Sequence, residues 1–316
     1  ENVFSRRAYA NRNTTQDIQD SGASIQFDWD ITPHITMTSI TAGRTWEAAT
    51  GQDSDFTAAD LVYRPDDGRN YVKFGQFSQE VRFAGVAGPV DWLAGVFYAN
   101  ETLDSRSILN YGADYYGYFA QRVLSNVPAL IGLTPGTIFQ QGNGSDDRYE
   151  QEDTTVALFT DNTWSINEAL KLTVGLRYTQ SEKTLKSRYS TTGASCDQGE
   201  AAFPGLVGLL GAATPTSIVG GLCLDAQNND FDALYGAGLG TQKSDENELT
   251  GTVKLAWNIN DDIMTYASYA RGYKGGGFNL DRVSIACPPG GRAVTRATGV
   301  ACTNPLGTID FQAKPN

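Results

Sequence analysis

The chain has 316 residues, a formal charge of -12 and a pI near 4.5. Its acidity, with Lys and Arg nowhere clustered along the sequence, argues against nucleic acid as a partner, because phosphate binding needs grouped cations. Apolar residues at 40% and charged residues at only 19% exclude a disordered acidic tail, and 15 Tyr, 14 Phe and 34 Gly favour sheet over a helix bundle. No secretory signal peptide is visible after Glu1, which suits a mature or trimmed chain as well as a cytosolic one.

Taken in chain order, the first clear element is Ala23–Ile31. Ala23, Ile25, Phe27, Trp29 and Ile31 alternate there with Ser24, Gln26, Asp28 and Asp30. Around Phe77–Phe83, Phe77, Val81 and Phe83 oppose Ser78, Glu80 and Arg82. In Leu170–Tyr178, Leu172, Val174 and Leu176 oppose Thr173, Gly175 and Arg177. In Leu249–Ile259, Val253, Leu255 and Trp257 oppose Thr252, Lys254 and Asn258. One apolar and one wet face is the antiparallel pattern. Ile35–Trp46, Trp92–Tyr98, Val156–Trp164 and Ile263–Tyr273 are rich in β-formers and pair with the clean segments, giving about eight strands in four hairpins.

Short turns at Thr32-Pro33, Gly85–Val90, Ser165–Ala169 and Asn260–Asp262 alternate with long excursions at Ala48–Val72, Thr102–Glu152, Ser187–Asn247 and from Gly275 onward. That alternation predicts an all-β fold, a transmembrane antiparallel β-barrel segment with long extracellular loops. A soluble sandwich or jelly roll shares the period-two pattern but seldom carries several loops this long. Trp46, Trp92, Trp164, Trp257, Tyr98 and Tyr266 fall near expected strand ends, where interfacial aromatics belong. The charge-free stretch Ala201–Leu224 is long enough for a membrane helix, but Pro204, Pro215 and its glycines favour a partly apolar loop.

Several stretches resemble the barrel motifs of TonB-dependent outer-membrane receptors. They are Phe77-Ser78-Gln79-Glu80-Val81-Arg82-Phe83-Ala84-Gly85, Asp91-Trp92-Leu93-Ala94-Gly95-Val96-Phe97-Tyr98 and Leu170-Lys171-Leu172-Thr173-Val174-Gly175-Leu176-Arg177-Tyr178-Thr179. The most specific is Tyr266-Ala267-Ser268-Tyr269-Ala270-Arg271-Gly272-Tyr273-Lys274-Gly275-Gly276-Gly277-Phe278-Asn279. The resemblance implies a Gram-negative outer membrane, a barrel of about 22 strands and a plug domain. Nothing in the chain looks like the plug or its energy-coupling box, so residues 1–316 read as an internal barrel segment. It also implies TonB-coupled uptake of a ferric siderophore, a cobalamin-like cofactor, an oligosaccharide or an aromatic compound. The partners it implies are the TonB complex acting through the plug, outer-membrane lipid, lipopolysaccharide and surface lipoproteins. A passive porin-like channel and a surface adhesion module are the alternatives.

Candidate sites lie in the loops. Tyr111, Tyr115, Tyr116, Tyr118 and Phe119 either stack on a ligand or form their loop's own small core. Arg271 and Lys274 either meet an anionic ligand or lipopolysaccharide, or are ordinary rim charges. Cys196 with Cys223 and Cys287 with Cys302 are expected as two local disulfides, since each pair lies within one loop and the spacing is wrong for a metal site. Asp225, Asn228, Asn229, Asp230 and Asp232 offer oxygens that Ca²⁺ favours, but without EF-hand-like spacing a solvated loop is the simpler reading, and no metal is expected. His34, the single histidine, sits beside Pro33 as a turn residue, so a Ser/His/Asp set has no support and neither an enzyme nor a cofactor is expected.

Overall fold

The computed structural model describes residues 9–123, 137–211, 218, 222, 242–278, 280 and 310–311. In chain order the elements are β1 (Thr15–Thr32), β2 (Ile35–Asp53), β3 (Val62–Arg64), β4 (Tyr71–Ala87), β5 (Val90–Tyr111), α1 (Tyr115–Val123), β6 (Gly144–Ser165), β7 (Leu170–Arg188), β8 (Thr191–Thr192), α2 (Ser195–Leu210), β9 (Gln242–Asn258), β10 (Met264–Arg271), β11 (Gly277–Phe278) and β12 (Asp310–Phe311). The long strands form an antiparallel meander in the order β1-β2-β4-β5-β6-β7-β9-β10. Short β3 bridges β2 to β5 beyond the end of β4, and β8 lies against β6 beyond β7.

All four short turns lie at one end of this meander, as the alternation of connections requires. Each turn has its own local cause. Between β4 and β5, Gly88 takes φ +61° at the first of two turn positions and Pro89 fills the second, the pattern of a tight hairpin. Between β6 and β7 the Asn167 carboxamide oxygen accepts the Ala169 and Leu170 amides, and between β9 and β10 Asn260 does the same for Asp262 and Ile263. At the first hairpin the His34 carbonyl accepts the Val86 amide.

Register fixes the faces. Phe27, Ser39, Val81, Val96, Leu158, Tyr178 and Leu249 are successive Cα partners and so point the same way. Leu172, Val174 and Leu176 share that face; Thr173, Gly175 and Arg177 point to the other. Trp29, Trp92, Trp164 and Trp257 occupy the apolar face towards the short turns, and Phe77, Tyr98, Tyr178 and Tyr269 occupy it further along. Between these two belts the face is aliphatic, and large side chains such as Val96, Leu158 and Leu176 stand about half exposed. Its polar members satisfy one another: Gln79 bonds Thr41 and Ser39, while Asn162 donates to Thr160, which donates to the Leu93 carbonyl. Such pairing is what a lipid-facing surface demands, since hydrocarbon offers no other partner.

The opposite face is polar and more enclosed, with Ala99, Ala157, Asp153 and Ser181 buried. Arg177 lies 5.2 Å from the Phe97 ring centroid and 5.7 Å from that of Phe159. Two of the expected interfacial aromatics belong here instead. Trp46 pairs with Asp20 and Phe74, and Tyr266 pairs with Ala256, all on the polar side. Trp46 was expected near a strand end, but β2 runs on to Asp53, so parity and not position decides its face.

Strand extension also revises the loops. Strands extend into both ends of Ala48–Val72 and Thr102–Glu152, and helices α1 and α2 lie within the long connections. Ala201–Leu210, expected in a loop, lies in helix α2 despite Pro204; no described helix is long and apolar enough to cross a membrane.

Candidate functional site

Beyond the second aromatic belt, β2, β4, β5, β6 and β7 continue upward, and their polar-side positions become aromatic and apolar. Trp46, Phe74, Leu103, Tyr149 and Leu185 line that side in register with their neighbours. The segment after β10 folds across this surface: Phe278 and Leu280 pack on a buried group of Tyr149, Leu185 and Tyr189. Polar contacts hold it down. Lys183 donates to the Gly276 carbonyl at 2.6 Å and pairs with Asp153 at 3.3 Å, while Glu246 accepts the Gly276 amide at 2.8 Å. Ser181 completes the Asp153 carboxylate at 2.8 Å. These contacts satisfy a largely enclosed ion pair, which otherwise incurs a large desolvation cost.

Beside this flap is a cavity of about 570 Å³ lined by Trp46, Val72, Ser105, Ser107, Tyr149 and Leu280 among others. Its size falls within the usual range for small-molecule sites. Asn70 forms part of the wall but is committed to structure: its oxygen accepts the Ile108 amide at 2.6 Å and its nitrogen donates to the Pro65 carbonyl. Arg64 donates to the Ser107 hydroxyl at 2.7 Å. The cavity wall therefore presents ring faces, hydroxyls and the carboxamides of Gln16 and Gln52.

Above the cavity sits a cap. Tyr111, Phe119, Ile138, Phe139, Leu206, Ile218 and Leu222 form a buried core joining the end of β5, α1 and α2. The structure brings four of the five predicted aromatics together in this core. Tyr111 and Phe119 are buried, Tyr115 and Tyr116 pack partly against them, and Tyr118 is exposed. Phe139 is the hub, with ring centroids 5.1 Å from Tyr111 and 4.8 Å from both Tyr115 and Phe119. Arg271 ends β10 and pairs with Glu248 at 3.3 Å; Lys274 is exposed in the segment leading to the flap.

Cys196 is buried on α2 and is disulfide-bonded, whereas Cys223, Cys287 and Cys302 lie outside the described residues. Asp225, Asn228, Asn229, Asp230 and Asp232 lie outside them too. No metal-binding group of His, Cys, Asp or Glu occurs among the described residues.

A second clamp ties the segment before β1 to the cap. Arg12 forks onto Asp60 at 2.7 and 2.9 Å and lies 3.5 Å from the Tyr63 ring centroid. Asp60 also accepts the Ala113 amide, and Gly112 passes so close that a Cβ there would meet the Asp60 carbonyl at 2.1 Å. The hydrogen bond from Arg12 is the largest influence holding the Asp60 carboxyl at about 2, against an ordinary 3.8. A depressed carboxyl contributes stability that is present above its ordinary pKa and is lost as pH falls through the depressed one. An NMR titration of the Arg12 Nε–H should therefore show the clamp intact at pH 5 and released with a midpoint near 2. A midpoint near 3.8 would mean the pair adds nothing.

A family model described as TonB dependent receptor-like, beta-barrel matches residues 1–299. Among solved structures, the ferric yersiniabactin uptake receptor of Yersinia pestis aligns with a TM-score of 0.52 at 15% identity, covering 85% of this chain and 30% of that one. The siderophore receptor PiuA of Acinetobacter baumannii gives 0.48 at 12% identity, covering 83% and 33%. The ferric-catecholate import receptor of E. coli K12 gives 0.48 at 14%, covering 83% and 34%. The chain thus spans about a third of the length of these structures, and no curated protein matches it.

Proposed function

The chain belongs to the TonB-dependent receptor β-barrel family, and from that premise we propose that it forms part of the wall and mouth of an outer-membrane importer of ferric siderophores. The observation that carries the reading is the cavity on the polar face, walled by Trp46 and Tyr149 and overlain by the flap at Leu280. Ring faces and hydroxyls suit a planar, aromatic chelate better than a bare ion. Energy reaches the site from the TonB complex through a plug that the remainder of the barrel would enclose. Tyr118, Arg271 and Lys274 are the exposed members of the predicted site and serve first contact at the rim. Cys196–Cys223 and Cys287–Cys302 bridges belong to the same proposal, closing loops on the oxidising side. Outer-membrane lipid surrounds the apolar face, and surface lipoproteins are further partners.

Uptake of radiolabelled ferric siderophore by iron-starved cells tests this. Deleting the gene, or collapsing the proton gradient, should each abolish uptake of at least one chelate from a mixed panel. Undiminished uptake of every chelate after deletion overturns the siderophore reading; uptake lost on deletion yet insensitive to the gradient overturns TonB coupling.

A further inference from the structure

The flap after β10 reaches the wall without joining its ladder. Its own backbone pairing, Gly277 and Phe278 with Phe311 and Asp310, belongs to a two-stranded sheet separate from the wall. Wall side chains hold it instead. Asp153 is the Cα partner of Lys183, and Ser181 that of Glu246, so these four stand together on the lumen side of β6, β7 and β9. Gly276 is buried against them. The Glu246 carboxylate accepts its amide with both oxygens, at 2.8 and 3.1 Å, and Lys183 donates to its carbonyl. Gly276 is the middle of three consecutive glycines, the residue type with most backbone freedom to lose on docking. Beyond them, Phe278 and Leu280 rest on Tyr149, Leu185 and Tyr189, where Tyr149 and Tyr189 meet edge to face at 5.8 Å. Leu280 and Tyr149 also line the cavity, so the flap and its seat are both part of the cavity wall.

The cradle is complete without the flap. If Gly276 leaves, Lys183 keeps Asp153 at 3.3 Å and Asp153 keeps Ser181 at 2.8 Å. Glu246, partly exposed on β9, then meets lumen water. The Gly276 amide and carbonyl likewise exchange protein partners for water, a change with a small net cost. No charge is left enclosed and unpaired, the outcome that makes breaking a buried ion pair so unfavourable. Both positions of the flap are therefore chemically satisfied, whereas the ladder between β7 and β9 is satisfied in only one. We propose that the segment carrying Gly276, Phe278 and Leu280 is an inner door, hinged at the glycine run. Docked, it closes the lumen side of the cavity; released, it opens that side to the lumen. Its role in import rests on the reading above: cargo held at Trp46 and Tyr149 leaves inward through the door. Because Leu280 and Tyr149 touch both the cavity and the docked flap, an occupied cavity and a closed door favour each other.

The full-length receptor in lipid nanodiscs tests the door with no cargo present. Ser105→Cys places a thiol in the cavity wall. Its reaction with a bulky maleimide, followed by peptide mass, is timed beside hydrogen exchange at Gly276. In this parent the Gly276 amide should exchange at least about tenfold faster than ladder amides between β7 and β9. Glu246→Ala loosens the door from the wall side and Phe278→Ala from the flap side. Each should speed both Gly276 exchange and thiol labelling at least about tenfold. Lys254→Ala, on the same face of β9 but eight residues away, should change neither. Exchange of Gly276 in step with the ladder overturns the door, as does thiol labelling that stays at the parental rate in both variants. If Glu246→Ala also exposes the ladder, Phe278→Ala alone decides. The role in import has its own readout, a release of the radiolabelled ferric chelate from the uptake panel that is about tenfold faster in both variants. Unchanged release with accelerated labelling overturns that role. A parent that binds no chelate at all counts against the siderophore reading, while the labelling result still decides the door.

Discussion

Phe139→Ala is expected to cost about 3–5 kcal/mol of cap stability, the usual consequence of removing a buried aromatic ring. Three rings converge on Phe139, and Ile138 beside it is fully buried. The residue also adopts φ +50°, an uncommon backbone conformation for a side chain of this size, so the core around it must hold it there. The loss should be local. Amides of α1 and α2 should lose hydrogen-exchange protection while those of β6 and β7 keep theirs, because the sheet's ladder does not depend on the cap. Unchanged protection in both helices would mean that the cap is held chiefly by its other contacts.

Val174→Arg should cost about 2–4 kcal/mol near the bilayer midplane. Val174 and Leu176 lie between Leu172, the partner of Trp164 in the first belt, and Tyr178 in the second. Thr173→Arg moves the same charge onto the polar face and should be nearly neutral. Equilibrium unfolding from lipid bilayers measures both. A costly Thr173→Arg with a neutral Val174→Arg would invert the faces.

The part of the fold that the sequence displays most openly is the part that meets two solvents. Between the belts, lipid and water impose opposite demands on successive residues, so Leu172 to Arg177 could be assigned to faces by alternation alone. Above the second belt that contrast fades. Outward positions such as Lys73 and Glu47 are charged, and inward positions such as Trp46 and Phe74 are apolar, which reverses the parity of colour while the strand continues unbroken. The strand ends, and with them the cavity wall at Trp46 and Tyr149, were lost for this reason. Carrying the odd-numbered inward positions of β6 from Phe159 back through Asp153 to Tyr149 would have recovered them. In the cap, Tyr115 and Phe119 stand four apart, the helical spacing, and Phe203 and Leu206 stand three apart on α2. Pro204 and the glycines around it masked the second signal, and the aromatic cluster was seen without its partner at Phe139.

The first belt also encodes the lean of the wall. From Trp257 on β9 to Trp164, Trp92 and then Trp29 on β1, each successive tryptophan sits two residues further along the register, six in all across six strand spacings. Six residues are about 20 Å along a strand and six spacings are about 29 Å across the sheet. If the tryptophans mark one depth, the strands tilt by about 35° from the membrane normal, within the range of outer-membrane barrels. At that tilt the 22 residues of β6 climb roughly 60 Å, against an apolar band of about 25 Å. More than half of the strand thus stands in water, and it raises the cavity well clear of the membrane.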